Sequence, residues 1–172
     1  MQKTYRICLP LLLSANLCLL ACAEAWPSMK KCESIYVRSS DGWWLSINKD
    51  GSGSYGFGTG LARVEVTKST FGFEQVYAEI EKAFVSKQQN AEEPYMAVSC
   101  WRPNAGSSVE HRLAQDRRLL ARLFLAARAN ARVPQNELEA RAHDQVESLW
   151  QTSPWKESPY ISPNKPDAGA GK

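Results

Sequence analysis

Two cysteines in the body of the chain limit the folds that it can adopt. The sequence has five cysteines, but Cys8, Cys18 and Cys22 lie in an N-terminal segment with the features of an export signal. Cys32 and Cys100 are left, and two thiols in an oxidising compartment most simply form one disulfide. Because such a bridge closes a long loop, it stabilises the fold by about 4 kcal/mol in the chain-entropy model.

The first residues are typical of a secretory signal. A short basic start precedes a mostly apolar run that is too short for a stable membrane span. Candidate small-residue cleavage sites follow at 21–23 and 23–25, and we assign residues 1–23 to the signal peptide. The sequence around Cys22 also resembles a lipobox, which makes Cys22 a possible lipidation site. We therefore expect a periplasmic protein, with an outer-membrane lipoprotein that faces the periplasm as the alternative.

The chain that remains has the size of one domain. We predict a single domain over residues 24–152 and a proline-rich, partly disordered tail over 153–172. Removing the basic leader residues Lys3 and Arg6 lowers the formal net charge from +3 to +1, which argues against nucleic-acid binding by bulk charge. No later segment approaches the ~20 apolar residues of a membrane helix, so membrane contact is expected only through the signal or a lipid.

The first half of the domain has the pattern of a β-meander. Between residues 34 and 68, short β-favouring runs alternate with Asp-Gly turn signals, which predicts about four strands. The stretch 51–60 matches a phosphate-loop glycine pattern, but a strand rather than a helix follows it. Its glycines are therefore assigned to a strand that a neighbour approaches closely. Apolar residues at helical spacing then predict a helix over Gly72–Lys87, with Thr70 as a candidate start.

The second half is predicted to contain one more strand and two helices. Pro94–Trp101 is typical of a strand, and Val109–Arg132 is predicted to be one long, arginine-rich helix. We interpret that helix as packing on the core rather than lying on a membrane surface, because acidic residues dilute its charge. A last helix is predicted with Pro134 in its first turn. Its expected buried residues, and the aromatics expected to hold the tail to the body, are Leu138, Val146, Leu149, Trp150, Trp155 and Tyr160.

These patterns together predict an α+β fold, in which a small antiparallel β-meander sheet packs with about three helices and carries one disulfide. The stretch CWRPNAGSSVEH, Cys100–His111, is the part of this fold with a candidate function. Ser107 and Glu110 have the spacing of a capping box at the start of a helix. Ser108 and His111 are the alternative, as a nucleophile and its base with Asp116 or Asp144 as orienting groups.

The catalytic alternative lacks its usual signature. The serines do not lie in a G-x-S-x-G nucleophile elbow, and two distant histidines with two cysteines are too few ligands for a metal site. We therefore expect no enzyme activity, no metal and no cofactor. The remaining interpretation is a recognition loop over 102–108, since a small-tipped loop held at both ends loses little entropy on binding.

A secreted chain with a β-rich first half, then a helix, a strand, a serine-bearing loop and C-terminal helices resembles the type VI secretion amidase immunity proteins. The residues that carry the resemblance are Gly106, Ser107 and Ser108, with Asn104 and Ala105 beside them. The family resemblance implies a monomer, or a heterodimer with an NlpC/P60-type Cys/His peptidoglycan amidase effector.

In that family a loop with paired serines enters the cleft of the amidase and contacts its catalytic histidine and cysteine. The resemblance thus implies that Ser107 and Ser108 contact the dyad. Arg102 and an exposed tryptophan such as Trp101 or Trp43 are then expected at the rim of the interface, where arginine and tryptophan are common hot spots. An envelope lipoprotein with a structural or partner-binding role is the alternative function.

Overall fold

A computed structural model describes most of the chain, over residues 26–59, 62–87, 89–107 and 109–156. For Ser107, only the backbone is described. The predicted signal peptide, the possible lipidation site Cys22, Ser108 and Tyr160 lie outside the described residues. Within the described ranges, none of the helices has the length and apolar character needed to cross a membrane.

The element order confirms the predicted α+β class. A 3₁₀ turn over Met29–Lys31 precedes seven strands and three helices. Their bounds are β1 (Ser34–Ser39), β2 (Trp43–Asn48), β3 (Gly53–Phe57), β4 (Arg63–Val66), α1 (Phe73–Ser86), β5 (Tyr95–Arg102), β6 (Gly106–Ser107), β7 (His111–Ala114), α2 (Arg117–Ala129) and α3 (Glu137–Trp150). Strands β1 to β4 are the predicted meander.

The strands form one antiparallel sheet with the order β4-β3-β2-β1-β5, and both β6 and β7 pair with the far edge of β5. β5 returns from α1 to lie beside β1, so that Val37 faces Val98. The predicted disulfide between Cys32 and Cys100 is confirmed, with the two Cα atoms 5.6 Å apart. It joins the residues before β1 to the end of β5.

The core lies between one face of this sheet and the helices. Alternation along the strands points every second side chain to that face. Trp43 lies at one end of the core, with its ring edge-on to Trp150 at 5.1 Å and to Phe124 at 6.3 Å. Trp155 packs against Phe124 at 5.5 Å and is 3% exposed, which confirms the predicted contact between the tail and the body.

The glycine-rich stretch is a strand that its neighbours approach closely, as predicted. A Cβ atom added to Gly53 would lie 2.1 Å from the carbonyl oxygen of Ser46, and one added to Gly56 would lie 2.5 Å from that of Ala62. Glycine at both positions lets β3 pair tightly with β2 and β4.

Irregular chain segments cover both long edges of the sheet. At the β4 edge, the Thr67 N–H donates to the Asn130 carbonyl at 3.1 Å, and the Arg132 N–H donates to the Glu65 carbonyl at 2.7 Å. At the opposite edge, residues 89–91 lie along β7 through a bridge and a backbone hydrogen bond. The backbone groups of Glu65, Thr67 and Arg112 at these edges are therefore paired within the chain.

The predicted helix over Val109–Arg132 is wrong in its first part. Residues His111–Ala114 form β7, and α2 begins only after Asp116, whose carboxylate accepts a hydrogen bond from the Leu119 N–H at 3.0 Å. Pairing of β7 with β5 buries Leu113 completely. This tertiary pairing overrides the local helix propensity of the segment.

Two helix starts also differ from the prediction. Gly72 is the N-cap residue of α1, so the predicted start at Thr70 is wrong. Asn136 is the N-cap residue of α3, so Pro134 precedes the helix instead of lying in its first turn. Leu138, predicted to be buried, is 78% exposed, whereas Val146 and Trp150 are each 1% exposed, as predicted.

Candidate functional site

The serine-bearing stretch begins with a β-hairpin. The Arg102 carbonyl accepts a hydrogen bond from the Ala105 N–H at 3.2 Å, and Gly106 has a φ of 68°. This is the three-residue hairpin loop in which a turn is followed by a residue in the left-handed region. Pro103 fits the second position of such a turn, and glycine accepts the positive φ without strain.

The predicted capping box is wrong, because no helix follows the two serines. Ser107 belongs to β6 and lies opposite Trp101. Glu110 instead reaches across the sheet to β1, where its carboxylate accepts a hydrogen bond from the Arg38 guanidinium at 2.9 Å. The arm that carries the serines is therefore tied to β1 by an ion pair.

The arm over residues 106–114 pairs with β5 in two registers that differ by one residue. Trp101 faces Ser107, whereas Val98 faces His111. Between these two pairs the arm has one residue more than β5. The position of Ser108 within this stretch lies outside the described residues.

The tip of the hairpin is small and accessible. Pro103, Asn104, Ala105 and Gly106 are all exposed. Among the described residues, and apart from its chain neighbours, no atom lies within 4 Å of a Cβ atom built on Gly106. The predicted partner-binding residues Asn104, Ala105 and Gly106 thus lie at an exposed loop of small side chains.

The base of the hairpin is rigidly held. Cys100 is fully buried and carries the disulfide to Cys32. One residue later, the Trp101 carbonyl accepts a hydrogen bond from the Glu33 N–H at 2.9 Å. A covalent link and a backbone hydrogen bond therefore both hold the chain immediately before the exposed tip.

The two predicted rim tryptophans have different environments. Trp101 is 46% exposed and lies on the open face of the sheet, next to Ser107. Trp43 is 2% exposed within the core, so its assignment to the rim is wrong. In β2, Trp43 and Trp44 are both buried although they point to opposite faces of the sheet, and the sequence gives no signal that separates them.

Arg102 lies on the opposite side of β5 from Trp101, because successive strand residues alternate. Its Nε atom is buried and has no hydrogen-bond partner among the described residues. Leaving such a donor unpaired costs about 1–3 kcal/mol. The arginine therefore has an unused hydrogen-bonding group close to the tip.

The residues proposed for the catalytic alternative have structural contacts. The His111 ring packs edge-on against Phe84 at 4.9 Å and against Trp26 at 6.2 Å. Asp116 caps α2 and also lies 3.4 Å from the Lys87 ammonium group. Asp144, the other proposed orienting group, is an exposed residue of α3.

The face of the sheet that points away from the core carries a second group of aromatic residues. Tyr36 stacks on Trp44 with 6.0 Å between ring centroids, and the Arg112 guanidinium lies 4.9 Å from the centre of the Tyr95 ring. Burial raises the pKa of Tyr36 above its usual value; nearby Arg38 opposes this rise. This face combines half-buried aromatic rings with arginine side chains.

The described residues contain no group of three or more His, Cys, Asp or Glu side chains placed to hold a metal ion. Comparisons with protein-family models, with curated proteins and with solved structures each gave no match to this chain. The functional argument therefore depends on the hairpin and its surroundings.

Sequence reasoning missed the hairpin although the signal for it was present. The residues Pro103-Asn104-Ala105-Gly106 follow a predicted strand, and a short glycine-containing stretch after a strand is a hairpin signal. It also missed that the turn Met29–Lys31 lies beside the hairpin, which follows once Cys32 and Cys100 are bonded.

Proposed function

We propose that this chain is a periplasmic immunity protein that binds a Cys/His peptidoglycan amidase toxin and occludes its active site with the hairpin. The observation that carries this proposal is the exposed hairpin tip, Pro103–Gly106, on a base fixed by the Cys32–Cys100 disulfide. The family resemblance of the sequence adds the identity of the partner.

The shape of the hairpin supports insertion into a cleft. Small residues at Asn104, Ala105 and Gly106 give the tip a narrow cross-section. Because the base is already ordered, little conformational entropy is lost when the tip enters an active site. A loop that was free at its base would have to be ordered by the partner.

The chemistry of the paired serines fits a Cys/His dyad. A hydroxyl has one donor and two acceptor lone pairs, so it pairs with a catalytic histidine or cysteine in either protonation state. Ser107 and Ser108 follow the tip directly and offer two such groups. Occlusion of this kind needs no catalytic residue in the inhibitor, and this chain is proposed not to be an enzyme.

The surroundings of the hairpin supply contact area. Trp101 lies beside Ser107 on the open face of the sheet, so insertion of the hairpin brings its ring to the rim of the cleft. A stable complex usually buries about 1,600 Å² in total, more than the tip alone provides. The rest of the interface is assigned to the flanks of the hairpin.

The test begins with the tagged mature chain, which is used to recover a Cys/His amidase from the bacterium that makes it. The Ser108→Trp variant is then compared with the unsubstituted chain in an assay of peptidoglycan cleavage. We expect at least about a hundredfold loss of inhibition, equivalent to roughly 2.7 kcal/mol. The reason is that the indole makes the inserted segment too large for the cleft of the amidase.

The matched control is Thr59→Trp, which adds the same side chain at an exposed position of the β3–β4 connection. It is expected to inhibit as well as the unsubstituted chain, and both variants are expected to keep the unfolding temperature. Full inhibition by Ser108→Trp contradicts the insertion model. Failure to recover any amidase under conditions in which the toxin is made contradicts the proposed function.

The second candidate function is an envelope lipoprotein with a structural or partner-binding role. The open sheet face favours it, since Tyr36 and Tyr95 are half-buried aromatic residues of that face, apart from the hairpin tip. Metabolic labelling with a palmitate analogue distinguishes a lipid-anchored protein from one without a lipid. Label on Cys22 supports a lipoprotein, and a Cys22→Ala variant is the control. A tethered inhibitor would carry the label and still bind the amidase.

A further inference from the structure

The short turn Met29–Lys31 lies next to the base of the hairpin. Cys32, which follows the turn, is bonded to Cys100, and the Glu33 N–H donates to the Trp101 carbonyl at 2.9 Å. Two contacts therefore fix the turn beside the hairpin, although the two segments are far apart in the sequence.

This neighbourhood contains a group of unpaired positive charges. Lys30 and Lys31 are both exposed, and neither forms an ion pair among the described residues. Arg102 forms none either, and its buried Nε has no hydrogen-bond partner there. We call Lys30, Lys31 and Arg102 the basic collar.

Two acidic residues, one that follows the turn and one on the hairpin arm, are already engaged with other cations. Glu33 accepts a hydrogen bond from the Lys49 ammonium group at 2.5 Å, and Glu110 accepts one from Arg38 at 2.9 Å. Their charges are thus largely compensated. The basic collar therefore carries a local excess of positive charge that the small net charge of the whole chain does not reveal.

Apolar groups lie beside the collar. Met29 is 36% exposed in the turn, and Trp101 is 46% exposed on the hairpin. Aromatic residues, methionine and arginine are enriched in protein interfaces, whereas lysine is depleted there and the rim of an interface is polar. The composition around the hairpin base is therefore that of an interface whose rim is positively charged.

We propose that the basic collar docks against an acidic rim around the cleft of the amidase and accelerates their association. This inference rests on the proposed function, because the collar flanks the hairpin that is inserted. Complementary charges around a binding site raise the association rate more than they lower the dissociation rate. Lys30 and Lys31 provide this long-range attraction at the exposed surface.

Arg102 has a different part in the same surface. A guanidinium group offers a planar set of donors that matches a carboxylate, and its charge is permanent. Since the Arg102 guanidinium forms no ion pair among the described residues, we assign it a carboxylate or a backbone carbonyl of the amidase rim. Its contribution is expected mainly in the dissociation rate, because the contact forms at close range.

The experiment measures association and dissociation rates between the oxidised mature chain and the amidase recovered with it, at several salt concentrations. The Lys30→Glu/Lys31→Glu variant is expected to associate at least tenfold more slowly at low ionic strength. The difference should shrink as salt increases, since screening shortens the range of the interaction. Arg102→Gln is expected to increase the dissociation rate while changing association less than threefold.

The matched control is Arg117→Glu/Arg118→Glu, which makes the same change in net charge. These exposed residues of α2 follow β7, whose Ala114 pairs with Tyr95 at the end of β5 opposite to the hairpin. The control is expected to associate within twofold of the unsubstituted chain. Circular dichroism and thermal unfolding of each variant verify that the chain is folded.

The outcomes separate the collar from the proposed function. The collar proposal is overturned if Lys30→Glu/Lys31→Glu and its control have equal association rates and equal salt dependence. The insertion model is kept in that case if the unsubstituted chain binds tightly and Ser108→Trp abolishes the binding. A faster association of the Lys30→Glu/Lys31→Glu variant would mean that the amidase rim is basic, which also overturns the proposal. Absence of any binding by the unsubstituted chain overturns both.

Discussion

Strand β5 passes through two regions of the molecule that are stabilised in different ways. In the first region, Met96, Val98 and Cys100 are fully buried in the core. In the second, Trp101 and the hairpin tip are exposed, and the chain there is held by one disulfide, by few backbone pairs and by the ion pair of Glu110. The fold is stabilised in the first region, and the proposed recognition takes place in the second.

The difference teaches that stability and binding are separable along a single strand. A residue on the core side contributes buried apolar area, whereas a residue on the hairpin contributes shape and accessible hydrogen-bonding groups. Substitutions in the two regions should therefore affect different measurements.

The largest expected effect is on the core. Trp150→Ala removes the ring that packs edge-on against Trp43 at 5.1 Å, and we expect the free energy of unfolding to fall by about 3–5 kcal/mol. Trp101→Ala is the matched variant in the hairpin region, with an expected loss below about 1 kcal/mol. Urea denaturation followed by fluorescence measures both.

Binding to the amidase should show the opposite order. At temperatures where both variants are folded, Trp101→Ala is expected to weaken the complex more than Trp150→Ala does. A Trp150→Ala protein that binds worse than Trp101→Ala while folded would show that the two regions are coupled.

The disulfide is where the two regions meet. Replacing both Cys32 and Cys100 by alanine opens a loop with a sequence separation of 68 residues. We expect a loss of about 4 kcal/mol in the chain-entropy model. Chemical denaturation of the variant and of the reduced unsubstituted chain should give matching curves. An unchanged midpoint would mean that other contacts fix the turn Met29–Lys31 beside β5.

The smallest expected effect tests where α2 begins. The Asp116 carboxylate accepts a hydrogen bond from the Leu119 N–H, so Asp116→Ala should lower the free energy of unfolding by about 1 kcal/mol. Ser107→Ala should change it by less than about 0.5 kcal/mol, because Ser107 lies on a hairpin arm and caps no helix. A larger loss for Ser107→Ala than for Asp116→Ala would favour the capping-box interpretation.

The parts of the fold that could be predicted are those encoded by local pattern or by elimination. Turn signals and alternation located the four strands of the meander, and helical spacing located α1. The pair Cys32–Cys100 followed from counting cysteines under an export signal. These signals are short-range, or they depend on composition alone.

The parts that could not be predicted depend on tertiary pairing. The residues around His111–Ala114 have no strong strand preference, and they become β7 because β5 offers an edge on which Leu113 is buried. The same pairing converts a predicted helix cap into one arm of a hairpin. The exposure of Trp101 and the burial of Trp43 likewise depend on which elements cover each face of the sheet. The sequence around either residue does not carry that information.

The stretch predicted to be a recognition loop is exposed, but its second support differs from the prediction. The small residues from Asn104 to Gly106 do form an exposed tip. Its second support is a strand and an Arg38–Glu110 ion pair instead of a capped helix. The basic collar depends on Lys30 and Lys31, whose turn is held beside the hairpin base by the disulfide and by the Glu33–Trp101 hydrogen bond.

The covered edges of the sheet have a consequence for the order in which the chain is made. Strand β4 is synthesised long before residues 130–132, whose backbone pairs with it at Glu65 and Thr67. Until those residues emerge, the meander presents a strand edge with unsatisfied amide and carbonyl groups, which is a site for intermolecular association. A chain truncated before residue 130 is therefore expected to associate with other copies more readily than the whole chain.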